Sequence, residues 1–169
     1  MKEKTMRLWA FTCLGLVLAA ASPSGDTFQT GDWQGRANFN GEGVFTDCTI
    51  LMPDPEQTTV GFVMTHSSDL GMIVADPVLK LKPGEQKPTL VHVEGIDSVA
   101  AMADVVADNG VLIPIESGSP LARAISEGKE FRVNLPEKEF VLQRPKTGEA
   151  LEALKSCVES HRGKDRVEL

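Results

Sequence analysis

Hydrophobic positions alternate with polar ones along most of the chain, a pattern that predicts β-strands with one buried face. The alternating runs are short and are separated by Gly, Pro, Asn and Asp, the residues that favour turns. The runs are residues 31–39, 44–52, 58–65, 71–75, 88–94, 111–115, 130–135 and 139–143. We therefore expect about eight short strands. In the second run Cys48 shares a face with Val44, Ile50 and Met52, so that face is predicted to point inward.

The segment from Ser98 to Ala107 fits two structures. Its alanines favour a helix, whereas Val99, Val105 and Val106 favour a strand. The turn residues that follow at 108–110, and the apolar run after them, favour the strand of a hairpin.

Two segments have helical periodicity. Ser119-Pro120 predicts a helix start with serine as the N-cap, and Gly128 predicts the end of that short crossover helix. A last helix is predicted over 147–162, with Thr147 as its N-cap. Its apolar stripe is formed by Ala150, Leu151, Leu154, Cys157 and Val158.

These elements predict a mainly β protein, either an antiparallel β-sandwich or a partly closed barrel, with the C-terminal helix docked on it. Neither an internal repeat nor a long linker indicates a second domain. We expect one domain over residues 22–163 and a flexible tail over 164–169.

The N-terminus is typical of an export signal. Basic residues precede an apolar run over 8–21, and Ala19-Ala20-Ala21 provides small residues for cleavage before Ser22. The run is shorter than the roughly 20 residues that span a bilayer. Cys13 raises the alternative of a lipoprotein, but Phe11 is bulky where small residues are required. We expect a periplasmic or secreted protein.

The net charge of the chain limits the classes of partner that it is expected to bind. The whole chain has a formal charge of −7, and residues 1–21 contain three basic residues and one acidic residue, so the remainder is more acidic still. Acidic surfaces repel phosphate backbones and anionic membrane faces. Binding to nucleic acid is therefore disfavoured, and no membrane-spanning segment is expected after the signal is removed.

Cys48 and Cys157 are the only cysteines after position 21. An even number of cysteines in an exported chain predicts a disulfide. The two positions are 109 residues apart, so loop entropy predicts about 4–5 kcal/mol of stabilisation as an upper figure. A reactive thiol would require a nearby CxxC partner or a histidine-rich setting, and the sequence has neither.

The only cluster with catalytic residue types contains His66, Ser67, Ser68 and Asp69. Triad members usually come from separate parts of a fold, and neighbouring side chains on an extended segment point apart. A polar turn is the favoured interpretation, with His66, Ser67 and Asp69 kept as surface candidates. No catalytic residue, cofactor or metal site is predicted, because the histidines at 66, 92 and 161 lie in unlike contexts. Trp33 is interpreted as a core residue.

The closing pattern Phe140, Leu142 and then Ala150-Leu151-Glu152-Ala153-Leu154-Lys155-Ser156-Cys157-Val158 resembles a group of small exported bacterial proteins, mostly uncharacterised. More distantly, the chain resembles the invasion-associated locus B proteins. The resemblance implies a periplasmic β-rich domain with a disulfide that fastens its helix, and no catalytic residue. The chain departs from the locus B pattern in its single cysteine pair and acidic charge.

These observations favour an exported, non-enzymatic protein that binds an envelope component or a protein partner. One alternative is a small envelope hydrolase that uses carboxylates or His66 as the base. Another is a secreted inhibitor or invasion-associated factor, with a projecting loop at Pro53–Gln57 or His66–Leu70.

Overall fold

The computed structural model describes residues 26–52, 58–128, 130–142 and 146–163. Several predictions lie outside these residues. They are the export signal over 1–21, the projecting loop at Pro53–Gln57, the end of the eighth run at Gln143 and the tail over 164–169.

Ten strands and two helices form within the described residues. The first five strands are β1 (Thr27–Thr30), β2 (Trp33–Phe39), β3 (Phe45–Met52), β4 (Thr59–Thr65) and β5 (Leu70–Ala75). The other five are β6 (Gln86–Val93), β7 (Val99–Ala107), β8 (Gly110–Ile115), β9 (Phe131–Asn134) and β10 (Glu139–Leu142). The helices are α1 (Pro120–Ser126) and α2 (Thr147–His161). Neither helix is long and apolar enough to cross a membrane.

The strands form one antiparallel sheet in the order β1-β2-β3-β4-β5-β8-β7-β6-β9-β10, which is not closed into a barrel. The first five strands follow one another across the sheet. The chain then returns through β6, β7 and β8, so that β8 lies beside β5. Helix α1 carries the chain from β8 across to β9, which pairs with the free side of β6.

The mainly β class, the antiparallel pairing and the two helices agree with the sequence prediction, although the strand count is ten rather than about eight. The segment Val99–Ala107 is a strand, as the valines and the following turn indicated. Strand β1 was not predicted, because its four residues, TFQT, are too few to show a clear periodicity.

Helix α2 lies on the inner face of the sheet, against β1–β4 and against α1. Its buried side chains are Thr147, Ala150, Leu154, Cys157 and Val158, while Leu151 is half-buried. Trp33 is fully buried, and its ring lies 5.8 Å from that of Phe62. The disulfide between Cys48 and Cys157 joins β3 to α2, with 6.2 Å between the Cα atoms.

The predicted inward position of Val44 is wrong. Val44 is 39% exposed, and the buried residue is its neighbour Phe45. The cause is a β-bulge: Phe45 pairs with Phe39, but Asp47 pairs with Asn38, so Thr46 is an extra residue between them. A bulge reverses the alternation of faces on one side of it, and here it turns Phe45 inward beneath α2.

The start of α2 also differs from the prediction. The N-cap is Lys146, with a φ of 59°, and its side chain makes no capping hydrogen bond. Thr147 is instead the first helical residue and is buried. At α1 the prediction is confirmed, because Ser119 is the N-cap and its side-chain oxygen accepts a hydrogen bond from the backbone N–H of Ala122.

Candidate functional site

His66, Ser67 and Asp69 lie on the exposed turn between β4 and β5. The Nε2 atom of His66 is 3.3 Å from Oγ of Ser67. The carboxylate of Asp69, however, accepts a hydrogen bond from Oγ1 of Thr65, at 3.2 Å, and Thr65 is the last residue of β4. The structure therefore brings the histidine and serine together but leaves the aspartate in a turn-stabilising role.

Contacts to Ser68 connect this turn to other parts of the chain. Ser68 has a φ of 71°, which is uncommon for a residue with a side chain. Arg162 donates to its Oγ at 2.6 Å, and Ser117 donates to its carbonyl oxygen at 3.1 Å. These contacts link the turn to the end of α2 and to the β8–α1 connection, which favours a structural role.

A second histidine–serine pair joins the end of β6 to the β6–β7 turn. His92 is exposed, and its Nδ1 is 2.9 Å from Oγ of Ser98. This distance is within the range for proton transfer between a nucleophile and a base. In the part of the chain that the structure describes, no carboxylate contacts His92 to orient it as in a triad.

Ser98 lines a surface cleft of about 830 Å³. The cleft lies where the β6–β7 turn, the end of β8 and the start of α1 meet, and its walls are mostly apolar. Two carboxylates, Asp97 and Glu116, also line it. Neither has an ion-pair partner among the described residues. The apolar lining is formed by Ile96, Val99, Ala100, Ala101, Pro114, Ile115, Pro120 and Leu121.

Beside this cleft, the outer face of β6 and β7 carries exposed apolar side chains. Leu90 pairs with Ala100, and Pro88 pairs with Met102, so the four side chains are direct cross-strand neighbours. Leu90 is 40% exposed and Met102 is 47% exposed. We call these four residues the β6–β7 face. Ala100 belongs to both the face and the cleft wall, which makes the two surfaces continuous.

Three groups with shifted pKa values form ion pairs outside the cleft wall. A hydrogen bond from Lys87 lowers the pKa of Glu137, and the same contact, 2.9 Å long, raises the pKa of Lys87. Burial acts to raise the pKa of Asp76, but hydrogen bonds from Lys138, Val78 and Thr58 together lower it. These pairs join the β9–β10 turn to β6 and to the end of β5, and so hold strands together.

The disulfide lies next to His161, which is four positions after Cys157 on α2 and therefore on the same face of the helix. Nδ1 of His161 is 2.8 Å from the carbonyl oxygen of Cys157 and 4.0 Å from its sulfur. Nε2 is 2.8 Å from a carboxylate oxygen of Asp26. Between these contacts the ring stacks on Phe45 at 5.6 Å and meets the edge of Phe39 at 5.9 Å.

The β6–β7 face was not predicted, although the sequence contains one signal of it. In the run PTLVHVE, Leu90 falls on the same face as His92, where a strand on the surface normally carries polar residues. A single apolar residue at such a position is common. The significance of Leu90 depends on Met102, which lies 12 positions away in the sequence and is a neighbour of Leu90 only in the sheet.

The class defined by this fold is a mainly β domain: one open antiparallel sheet with a disulfide-fastened C-terminal helix. A solved structure of this class is invasion associated protein B from Bartonella henselae, which matches with a TM-score of 0.55 at 17% identity. The match covers 79% of this chain and 97% of that chain. At this identity the likeness shows the fold alone. No protein-family model matches the chain, and no curated protein sequence matches it.

Proposed function

We propose that this chain is an exported, non-enzymatic protein that binds a protein partner through the β6–β7 face and the adjoining cleft. The observation that carries the proposal is the continuity of exposed apolar side chains, from Met102 and Leu90 through Ala100 into the cleft wall. Contiguous exposed apolar surface is typical of interaction sites, because its burial against a partner releases water.

The charge of the cleft indicates the chemistry of the partner. Asp97 and Glu116 lie among apolar walls, in a chain with a formal charge of −7. A complementary partner segment would combine apolar side chains with a Lys or Arg. Opposite charges increase the association rate and discriminate against wrong partners. An acidic partner would be repelled.

Export is the second part of the proposal. The N-terminal pattern of basic residues, apolar run and small residues supports it. A disulfide that links β3 to α2 is also typical of proteins that fold in an oxidising compartment. The name of the structural neighbour, invasion associated protein B, fits an exported protein, and a role as an invasion-associated factor is an alternative within this proposal.

Site-specific photo-crosslinking in the native cell tests the binding surface. A photoreactive residue at position 102 should give a discrete crosslinked protein, whereas the same residue at exposed position 155 on α2 should not. The double change Asp97→Lys and Glu116→Lys should remove the crosslinked product. Asp69→Lys changes an exposed carboxylate on a different turn and should leave it intact.

Two results would contradict the proposal. One is the absence of a crosslinked protein at position 102 when the chain is expressed at its natural level. The other is the same product from positions 102 and 155, which would indicate non-specific proximity rather than a binding face.

A hydrolase is the second candidate, because Ser98 and His92 are 2.9 Å apart at the cleft. In this case Ser98 is the nucleophile and His92 the base, in place of the His66 considered from the sequence. A fluorophosphonate probe, which reacts with activated serines, distinguishes the two candidates. Labelling that is lost in Ser98→Ala supports the hydrolase, and an unlabelled folded protein supports the binding function.

A further inference from the structure

The disulfide and His161 place three metal-ligating atoms together. The sulfurs of Cys48 and Cys157 and one ring nitrogen of His161 all lie within 4.8 Å of one another. While the two sulfurs are bonded to each other they provide no thiolate. Reduction of that bond would create two thiolates beside an imidazole, which is a typical ligand set for zinc.

Neighbouring side chains hold the imidazole of His161 in one orientation beside the disulfide. Metal-binding histidines usually donate the N–H of their second ring nitrogen to a carboxylate, which fixes the ring. Here Nε2 faces the Asp26 carboxylate at 2.8 Å, and Phe45 and Phe39 pack against the ring. Nδ1 thereby lies 4.0 Å from the sulfur of Cys157 and 2.8 Å from the Cys157 carbonyl oxygen, a contact that metal binding would replace.

We propose that the reduced chain binds one Zn²⁺ ion through Cys48, Cys157 and His161, with Asp26 as the residue that positions His161. Zn–S bonds of about 2.3 Å and Zn–N bonds of about 2.0 Å put tetrahedral ligand atoms about 3.5–3.8 Å apart. The nitrogen–sulfur distance of 4.0 Å is close to this range. The two sulfurs, which are bonded in this structure, would have to separate by rotation of the two cysteine side chains.

A dithiol reductant transfers two electrons to the Cys48–Cys157 bond and becomes a disulfide, leaving two thiols on the chain. Zn²⁺ then displaces the proton of each thiol and any proton on Nδ1, and the displaced protons go to solvent. Nε2 keeps its proton and continues to donate to Asp26. Metal binding should therefore weaken as the pH falls.

Two features favour zinc over a hard cation. Thiolate and imidazole are soft or intermediate ligands, whereas Mg²⁺ and Ca²⁺ prefer oxygen. Three protein ligands also leave a fourth position for water, as in open zinc sites. The consequence is that the contact between α2 and β3 is held by a covalent bond in the oxidised chain and by a metal in the reduced chain.

Cobalt titration of the full chain tests the site. The protein is reduced with a phosphine, kept free of oxygen and titrated with Co²⁺, whose thiolate complexes absorb by charge transfer. We expect saturation at one equivalent and displacement by Zn²⁺. His161→Gln should weaken binding at least 10-fold, and Asp26→Asn should weaken it by roughly 10- to 100-fold. His92→Gln, a change of an exposed histidine elsewhere, should have no effect.

A second measurement covers the case in which reduction unfolds the chain. Zn²⁺ should raise the thermal midpoint of the reduced protein, or restore its β-sheet circular dichroism, and should not change the oxidised protein. The proposal is overturned if the reduced chain gives no thiolate–cobalt band. It is also overturned if His161→Gln and the unmodified chain bind Co²⁺ equally well, which would make the site a cysteine pair alone.

Discussion

Asp76 is the carboxylate with the least contact with solvent among those described, with 3% of its surface exposed. It accepts hydrogen bonds from Nζ of Lys138 at 2.8 Å and from Oγ1 of Thr58 at 2.9 Å. The backbone N–H of Val78 donates to it at 2.9 Å. Because the donors come from three separate segments, this side chain holds the end of β5, the start of β4 and the β9–β10 turn together.

Asp76→Asn should destabilise the protein by about 2–3 kcal/mol at pH 7, the usual scale for losing hydrogen bonds to a buried charge. The pKa of Asp76 is lowered in the folded state. Its contribution is therefore fully present above the unfolded pKa of about 4 and is lost as the pH falls through the lower, folded pKa. Urea unfolding of the Asp76→Asn protein and of the unmodified chain should show a difference in the free energy of unfolding, and this difference should narrow below about pH 4.

Asp97→Asn, at an exposed carboxylate, is the matched control and should change the free energy of unfolding little at any of these pH values. A difference between Asp76→Asn and the unmodified chain that stays constant down to the acid limit of folding would contradict the role assigned to the ionised Asp76.

At the scale of elements, α1 and α2 approach each other closely at Gly148. A Cβ added at this position would lie 2.5 Å from the backbone carbonyl oxygen of Ser126, at the end of α1. This distance is shorter than real Cβ contacts, and a backbone oxygen cannot move aside as a side chain can. The packing of the two helices therefore depends on the absence of a side chain at position 148.

Gly148→Ala should destabilise the protein, although alanine is the better helix former by roughly 0.5–1 kcal/mol. Overlap in a packed interface typically costs about 1–3 kcal/mol, which exceeds that gain. Thermal or urea unfolding of both proteins shows directly whether the substitution lowers or raises the free energy of unfolding. Gly41→Ala is the control, because nothing lies within 4 Å of its added Cβ. A Gly148→Ala protein more stable than the original would show that the helices are not in close contact here.

At the scale of the whole molecule, the proposed export requires removal of residues 1–21. Mass spectrometry of the protein from the envelope fraction should find Ser22 as the first residue. Ala21→Asp should block processing, because signal peptidase accepts small residues at the first and third positions before the cut. Ala20→Asp lies between these positions and should be tolerated. A chain recovered in the cytoplasm with its N-terminal residues intact would contradict export.

The sequence by itself determined the mainly β class, most of the strand positions, both helices and the burial of Trp33. These properties follow from local periodicity and turn residues, which act over a few positions. The pairing of Cys48 with Cys157 followed from there being only two cysteines after position 21. Strand β1 was missed, and the inward face of β3 was assigned wrongly at Val44, because a bulge depends on the neighbouring strand.

The tertiary structure alone decided which distant residues meet. Met102 and Leu90 form one face because β6 pairs with β7 in a particular register. His161 contacts Asp26, which is 135 positions away in the sequence. It also stacks on Phe45, which the bulge turns inward. Side-chain neighbours of this kind depend on sheet order and helix docking, which no local pattern specifies. The candidate binding face and the proposed zinc site therefore became visible only in the folded chain.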